Sequence, residues 1–524
     1  MDFLDYAQLT TGQKISYKIK SFFTGIPGAI AGIVRAVINF FKGIFTWIGK
    51  GFAGYGSRFV KGDIGTKLSY VIMGAGSALH GQIGKGLCFL AAEIGYIMFM
   101  MNFGLTYISK IYGNVHFDEV NVEINGVKQI AENVDVNGVV GNVSPIYDVD
   151  PIFGARSVVN LDSLDDSNKV LLFFVMTVIV SIAFFAVYIT NTKSAFKSQE
   201  IIAEGNKPIS FIEELKMFLD ERFHVTMLVI PVVGLLVFTV LPIIFTIFMA
   251  FTNYDKEHQP PGNMYWWVGF KNFADIFYSN PDKSATFGKI LLWTLVWAVF
   301  ATFTNYIFGI ILALMINKKE IKFKGFWRTM FVVTAAVPQF VTLLICSLLL
   351  ADSGPINDTL KSMGMQTIPF LSDAGWARVT VIVVNMWVGI PYTMLISSGL
   401  LMNIPEDLYE SARIDGANAF QQFTKITFPY IFFVTTPYLI TTFVGNINNF
   451  NVIYFLTGGG PSPASYYKAG QTDLLVTWLY KLTTQSSDFN LAAVIGIIVF
   501  IICAAGSLIT FNMSKASKNE EEFS

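Results

Sequence analysis

Residues 288–316 read GKILLWTLVWAVFATFTNYIFGIILALMI, a run whose one charged side chain, Lys289, stands at its edge. About 20 apolar residues suffice to cross a hydrocarbon core of about 30 Å as a helix. Lipid offers no partner to backbone N–H and C=O groups, and the run lacks the alternation of a barrel strand, so a helix is required. Other runs pass the same test, and together they predict eight spans, near 87–109, 169–190, 225–251, 288–316, 327–351, 377–402, 430–456 and 490–512.

Composition agrees with a chain solvated largely by lipid. Hydrophobic residues make up 53% and charged ones 14%, with a mean hydropathy of +0.53, too apolar for a water-compatible surface. The fold class is therefore an all-α polytopic membrane protein with about eight transmembrane helices. Cys88, Cys346 and Cys503 lie inside apolar runs and read as small buried hydrophobes. No Cys or His pair has ligand spacing, so neither a metal site nor a disulfide framework is expected. No nucleophile–base cluster assigns a catalytic residue. The first residues, MDFLDYAQLTTGQK, are polar, and no cleavable signal is expected.

Basic residues set the expected orientation. They gather before the first span (Lys14 to Lys85), after the second (Lys193, Lys197, Lys207) and in the fourth connection (Lys318, Lys319, Lys322, Lys324, Arg328), which places those segments and both termini in the cytoplasm. The connection between the first two spans is acidic, from Asp118 to Asp166, and belongs outside. Within it, residues 116–143 alternate β-branched and polar positions broken by Asn-Gly pairs, which predicts hairpins in a small β-rich extracytoplasmic module at 111–168. Residues 22–52 mix apolar and basic side chains at helical spacing, an interfacial helix or a ninth span. MGAGSALHGQIGKG, at 73–86, lacks the GxxxxGK[ST] order of a phosphate loop and reads as a flexible membrane-surface segment. The expected organisation is an amphipathic region at 1–86, two extra helices at 87–190, a linker at 191–224, a transmembrane domain at 225–513 and a tail at 514–524.

The loop between the sixth and seventh spans, residues 403–429, reads NIPEDLYESARIDGANAFQQFTKITFP. Pro405 suits a helix start, Glu406 and Asp407 suit its positive dipole, and Asp415-Gly416 supplies a turn before a second short helix. Small residues Ser411, Ala412, Ala417 and Ala419 let another protein approach closely. Across the core spans ionisable side chains are confined to the ends, which disfavours an ion-coupled carrier and fits a neutral cargo. The seventh span instead carries amides: Thr442, Asn446 and Asn449 share one helical face. That face suits either sugar hydroxyls or interhelical hydrogen bonds.

Glu410-Ser411-Ala412, Asp415-Gly416-Ala417, Phe423, Ile426 and Pro429 resemble the EAA loop by which ABC importer permeases dock on their ATPase. Ser411 stands where alanine is usual and Phe428 where leucine is commoner. With VNMWVGIPY at 384–392, NINNF at 446–450 and LTGGGP at 456–461, the last 300 residues resemble the MalF-type permease of maltose/maltodextrin importers. The resemblance implies a six-helix type I ABC importer permease core, and coupling through Glu410, Ser411, Ala412, Asp415, Gly416 and Ala417. It implies substrate contacts at Thr442, Gly445, Asn446 and Asn449 and at Met386, Val388, Gly389 and Tyr392. It also implies partners: a MalG-type second permease, an ABC ATPase dimer, an extracytoplasmic sugar-binding protein, the oligosaccharide and membrane lipid, with no nucleic acid. No cofactor is expected on this chain, and ATP and Mg belong to the partner ATPase. Gly445 replaces the family's aromatic, and Ala335 and Gln339 depart from a polar pair, which leaves galacto-oligosaccharides or raffinose-type sugars as alternatives.

Overall fold

A computed structural model describes residues 53–113, 167–259, 265–318 and 320–513, together with short strands between 121 and 158 and scattered helical positions from 35 to 51. Most of the amphipathic stretch 22–52 and the whole tail 514–524 lie outside the described residues. Among the described residues seven helices are long and apolar enough to cross a membrane: 83–111, 167–203, 223–249, 281–317, 374–401, 419–447 and 489–508. An eighth span arises if the pair 324–334 and 339–349, bent by 78°, is one crossing. The seventh predicted span is shorter than expected, because the helix stops at Ile447 and a separate short helix begins at Phe450.

Contacts divide the chain into two compact units, residues 38–272 and residues 273–524 with the first 37. In the first unit, two single-turn helices, α1 (Ile64–Leu68) and α2 (Ala75–Leu79), precede α3 (Ile83–Phe99), which runs through a π-helical turn into α4 (Leu105–Gly113). The long helix α5 (Ser167–Ala203), the short α6 (Phe211–Leu219) and the pair α7 (Phe223–Leu235) and α8 (Leu241–Met249) complete it. The connection between α1 and α2 is held by side chains. Asn191 donates to the Ser69 carbonyl and accepts from Gly74 N–H, both at 2.9 Å, and Glu93 accepts from Met73 N–H at 2.8 Å. Gly74 has φ +85°, and a Cβ there would lie 2.0 Å from the Gly86 carbonyl oxygen, so only glycine fits. The glycine-rich stretch expected to be flexible is therefore a packed turn. A carboxylate within an apolar helix is costly unless partnered, and Met73 N–H partners Glu93.

Between α4 and α5 the described residues hold four short strands, β1 (Asn121–Ile124) antiparallel to β2 (Val127–Ile130) and β3 (Tyr147–Val149) antiparallel to β4 (Arg156–Val158). These are two separate two-stranded sheets. The expected β-rich module is corrected to two short two-stranded sheets among the described residues of a helical protein.

The second unit is built around α9 (Pro281–Asn317), started by Asn280, whose side chain accepts from Lys283 N–H. The bent pair α10 (Lys324–Ala336) and α11 (Gln339–Leu349), the short α12 (Pro355–Ser362) and the span α13 (Ala374–Leu401) follow. A hairpin of α14 (Glu406–Ile414) and α15 (Ala419–Gln422) leads into α16 (Phe428–Ile447), α17 (Phe450–Thr457), α18 (Leu475–Thr484) and α19 (Phe489–Met513). Trp293, Trp297, Ala301, Leu343, Val381, Val452 and Leu474 form one buried cluster, and Tyr306, Ile310, Ile431 and Leu439 another. In lipid, close van der Waals packing replaces the hydrophobic drive, and small residues permit it. A Cβ on Gly309 would lie 2.5 Å from the Thr393 side chain, and one on Gly389 would lie 2.0 Å from the Asn305 amide, so each of α9 and α13 receives a side chain of the other against a glycine.

The loop 458–474 is clamped to this unit by a buried ion pair. Lys481 Nζ lies 2.6 Å from Asp473, whose side chain is fully buried. Thr477 and Gly470 N–H also donate to that carboxylate. Burial pushes the Asp473 carboxyl up from its ordinary value, while the Lys481 ammonium and these donors pull it back. Trp293 donates to the Thr472 carbonyl, and Arg378 to that of Gln471. Removing one partner of a buried pair strands the other charge, at a cost of about 3–5 kcal/mol. Lys481→Met is therefore expected to lower the thermal midpoint of the purified chain sharply, and Lys481→Met with Asp473→Leu to recover most of the loss. Equal destabilisation by the single and double variants would contradict the pairing.

Candidate functional site

Two features of the second unit stand out, a cavity and a surface hairpin. The cavity forms where the α10–α11 pair breaks. Val337 precedes Pro338 and is extended, with φ −77° and ψ 131°, because the proline ring disfavours helical backbone on the residue before it. The break opens a space of about 430 Å³ lined by Thr334, Pro338, Gln339 and Thr342 from the elbow and by Trp387, Val388 and Tyr392 from α13. None of its lining residues carries a charge. Hydroxyls, one amide and two aromatic rings surround it, and the Trp387 side chain is 62% exposed. Gln339 also accepts from the Asn451 amide at 3.1 Å, which ties the elbow to the start of α17.

Of the residues predicted to contact substrate, Val388 and Tyr392 line this cavity. Gly389 packs against Asn305, and Met386 is half-buried on the same helix. Asn446 is buried; its amide donates to Thr302 at 3.0 Å and its carbonyl accepts from Trp297 at the same distance. Asn449 donates to Asn446 and caps α17 through Val452 N–H. Thr442 is half-buried, and a side chain at Gly445 would meet nothing within 4 Å. The amide face thus serves the helix break in this structure. Sequence reading missed Trp387 as a wall residue, although its motif was noted. Val388 and Tyr392 stand four residues apart and share one face of α13, whereas Trp387 is turned roughly 100° from Val388 and widens the wall.

The hairpin at 403–429 is a self-contained motif. Helix α14 ends at Ile414; Gly416 has φ +77°, Gly416 N–H donates to the Arg413 carbonyl and Ala417 N–H to that of Ala412. This is a Schellman ending, in which glycine takes the left-handed position and the residue after it meets the third from the helix end. Ala412 and Ala417 are those meeting residues and are half-buried, whereas Glu410, Ser411, Asp415 and Gly416 are exposed. Asn418 and Gln421 then form a reciprocal capping box that starts α15, and Tyr409 bonds Thr427 at 2.8 Å to pin the two arms. Ile414 and Phe420 are 87% and 74% exposed. The pattern that looked like a docking surface is in part the hairpin's own closure.

Residues 305–517 match the model of the binding-protein-dependent transport system inner membrane component family. The chain is 41% identical over 359 residues to the galactooligosaccharides transport system permease protein GanP of Bacillus subtilis, covering 68% of this chain and 85% of that one. It is 34% identical over 386 residues to the maltodextrin transport system permease protein MdxF of the same organism, covering 72% and 88%. Among solved structures, a bacterial ABC transporter involved in the import of the acidic polysaccharide alginate is 25% identical, with a TM-score of 0.46, covering 58% of this chain and 98% of that one. The family is one of membrane-spanning permease components rather than enzymes, ATP being hydrolysed by separate subunits. The chain belongs to the family of binding-protein-dependent transport system inner membrane components, the multi-pass permease subunits of ABC importers.

Proposed function

We propose that this permease moves neutral oligosaccharides by alternating access. The observation that carries the reading is the uncharged cavity at the broken α10–α11 helix, with Trp387 and Tyr392 as stacking faces and Gln339, Thr334 and Thr342 as hydrogen-bonding groups. Its volume of about 430 Å³ lies within the about 300–1,000 Å³ of small-molecule sites. Discontinuous helices that free backbone groups beside a cavity are a common way to build a substrate site in a membrane. Thr442, Gly445, Asn446 and Asn449 would reach substrate if α16 shifts during the cycle. Maltodextrins and galacto-oligosaccharides share this neutral hydroxyl chemistry, and the relatives' names support both classes. A sugar-binding protein delivers the cargo, and an ATPase dimer and a MalG-type second permease complete the assembly. The basic loops and both termini face the cytoplasm, residues 225–513 form the permease domain, and Glu410 and Gly416 mark the ATPase-docking hairpin.

The deciding experiment measures ATP hydrolysis by the assembled importer in nanodiscs, with binding protein loaded in turn with maltotriose, a galacto-oligosaccharide and raffinose. Stimulation by at least one of these neutral sugars is expected. Gradient-driven sugar flux through the purified chain alone would instead favour an ion-coupled carrier and sink the proposal. Trp387→Ala is expected to raise the half-maximal concentration of loaded binding protein by about tenfold, the scale of a lost aromatic contact. An unchanged value would remove Trp387 from the site.

Gly416 sits in left-handed backbone with open space around it. A β-branched residue there meets no neighbour but strains the chain by about 1–2 kcal/mol. Gly416→Val is expected to cut sugar-stimulated hydrolysis by about tenfold with normal membrane insertion. Gly416→Asn, which tolerates positive φ, should retain most of it. Equal loss in both variants would mean that the side chain and not the backbone is the fault.

A further inference from the structure

The connection after α9, residues 317–328, reads NKKEIKFKGFWR and holds five cations against one acid, Glu320. Two of the cations serve the fold. Lys324 donates to the Asn317 carbonyl at 3.0 Å, Arg328 bonds the Asn317 side-chain oxygen, and the Asn317 amide donates to Ser398. Lys318 and Lys322 are exposed or nearly so, and among the described residues neither has a carboxylate within ion-pair reach.

Phe323 directly follows Lys322 in left-handed backbone, φ +56° and ψ 43°, and is 82% exposed. A bulky residue is strained there, where glycine or asparagine is at ease. An aromatic ring in water is a second cost. Both costs fall on one residue that makes no buried contact, so neither is explained by the packing of the chain itself. Phe326 and Trp327, in the first turn of α10, are exposed beside it. The patch therefore offers unpaired ammonium groups and aromatic rings side by side, at the start of α10, the first arm of the bent pair. That is the complement of a phosphate headgroup with its glycerol and upper acyl chain.

We propose that Lys318, Lys322, Phe323 and Trp327 bind an anionic phospholipid of the inner leaflet, with Lys318 and Lys322 on the phosphate and Phe323 and Trp327 against the acyl boundary. The proposal rests on the cytoplasmic placement of this loop given above, and not on the identity of the cargo. Because α10 continues from this patch to the cavity elbow at Pro338, the lipid anchors the outer arm of the bend.

The test uses the full chain, purified from nanodiscs containing phosphatidylcholine and phosphatidylglycerol in equal parts and then stripped stepwise of lipid. Native mass spectrometry counts what stays bound. The wild-type chain is expected to retain phosphatidylglycerol over phosphatidylcholine, and Lys318→Gln with Lys322→Gln to lose that preference several-fold. Phe323→Gly relaxes the backbone while deleting the ring, so it should fold at least as well and still hold less phosphatidylglycerol. Equal retention of the two lipids by the wild type, or full retention by both variants, overturns the proposal. So does normal lipid retention with loss of the ATPase from the assembled importer, which assigns the patch to a protein. Labelling Lys322→Cys in a cysteine-free background with an impermeant thiol reagent, applied from outside whole cells, reports the orientation separately.

Discussion

Every backbone N–H and C=O of this chain that sits at membrane depth must find its partner within the protein, because lipid supplies none. Where helices run unbroken the requirement is met locally, and the side chains are free to be apolar. Where a helix breaks, a polar side chain takes over. Asn191 holds both ends of the turn from Ser69 to Gly74, and Glu93 satisfies Met73. Asn449 caps the restart after Ile447. At the elbow before Gln339, proline removes the need by having no N–H of its own. Asn191, Asn449 and Glu93 are thus accounted for by broken backbone.

The second consequence of a lipid solvent is that helices associate through fit rather than through exclusion from water. Glycines 309 and 389 let α9 and α13 touch closely, and the tryptophans of α9 seal the packing with bonds to the carbonyls of Asn446 and Thr472. Helix α13 is therefore held on one side by α9 and presents Trp387, Val388 and Tyr392 on another. On the proposed reading, an uncharged wall of this kind suits a neutral, many-hydroxyl ligand, since each hydrogen bond to a neutral sugar is worth little unless its partner is already in place.

Sequence made the spans and the hairpin legible because both depend on short-range signals. Hydropathy over a window locates a helix that must cross lipid, and Asp415-Gly416 followed by Asn418 and Gln421 writes a helix stop and a helix start in adjacent residues. The break at Ile447 was less legible, since an Asn-rich face has the same spacing whether it lines a cavity or repairs a helix. The structure spends Asn446 and Asn449 on the repair. The packed stretch 73–86 was misread as flexible because glycine signals freedom and close approach alike, and only the opposing Gly86 and Asn191 distinguish them. The strands between 121 and 158 show the limit of alternation: it predicts strands without predicting how many join one sheet.

The repaired break joins the two functional features of the second unit. Thr427, pinned to Tyr409 in the hairpin, is followed without interruption by α16. Helix α16 ends at the Asn446–Asn449 pair, which is bonded to Thr302 and Trp297 of α9 and caps α17. Asn451, in the first turn of α17, reaches Gln339 on the cavity elbow. On the proposed reading, a pull on the hairpin by the ATPase travels along one stiff helix to an amide cluster whose bonds can be exchanged. Exchanging them frees the very groups that the amide face would turn toward sugar. An apolar break would carry the same motion but expose no hydrogen-bonding group when it opened, so the use of asparagine at this junction follows from the need to be satisfied in both states.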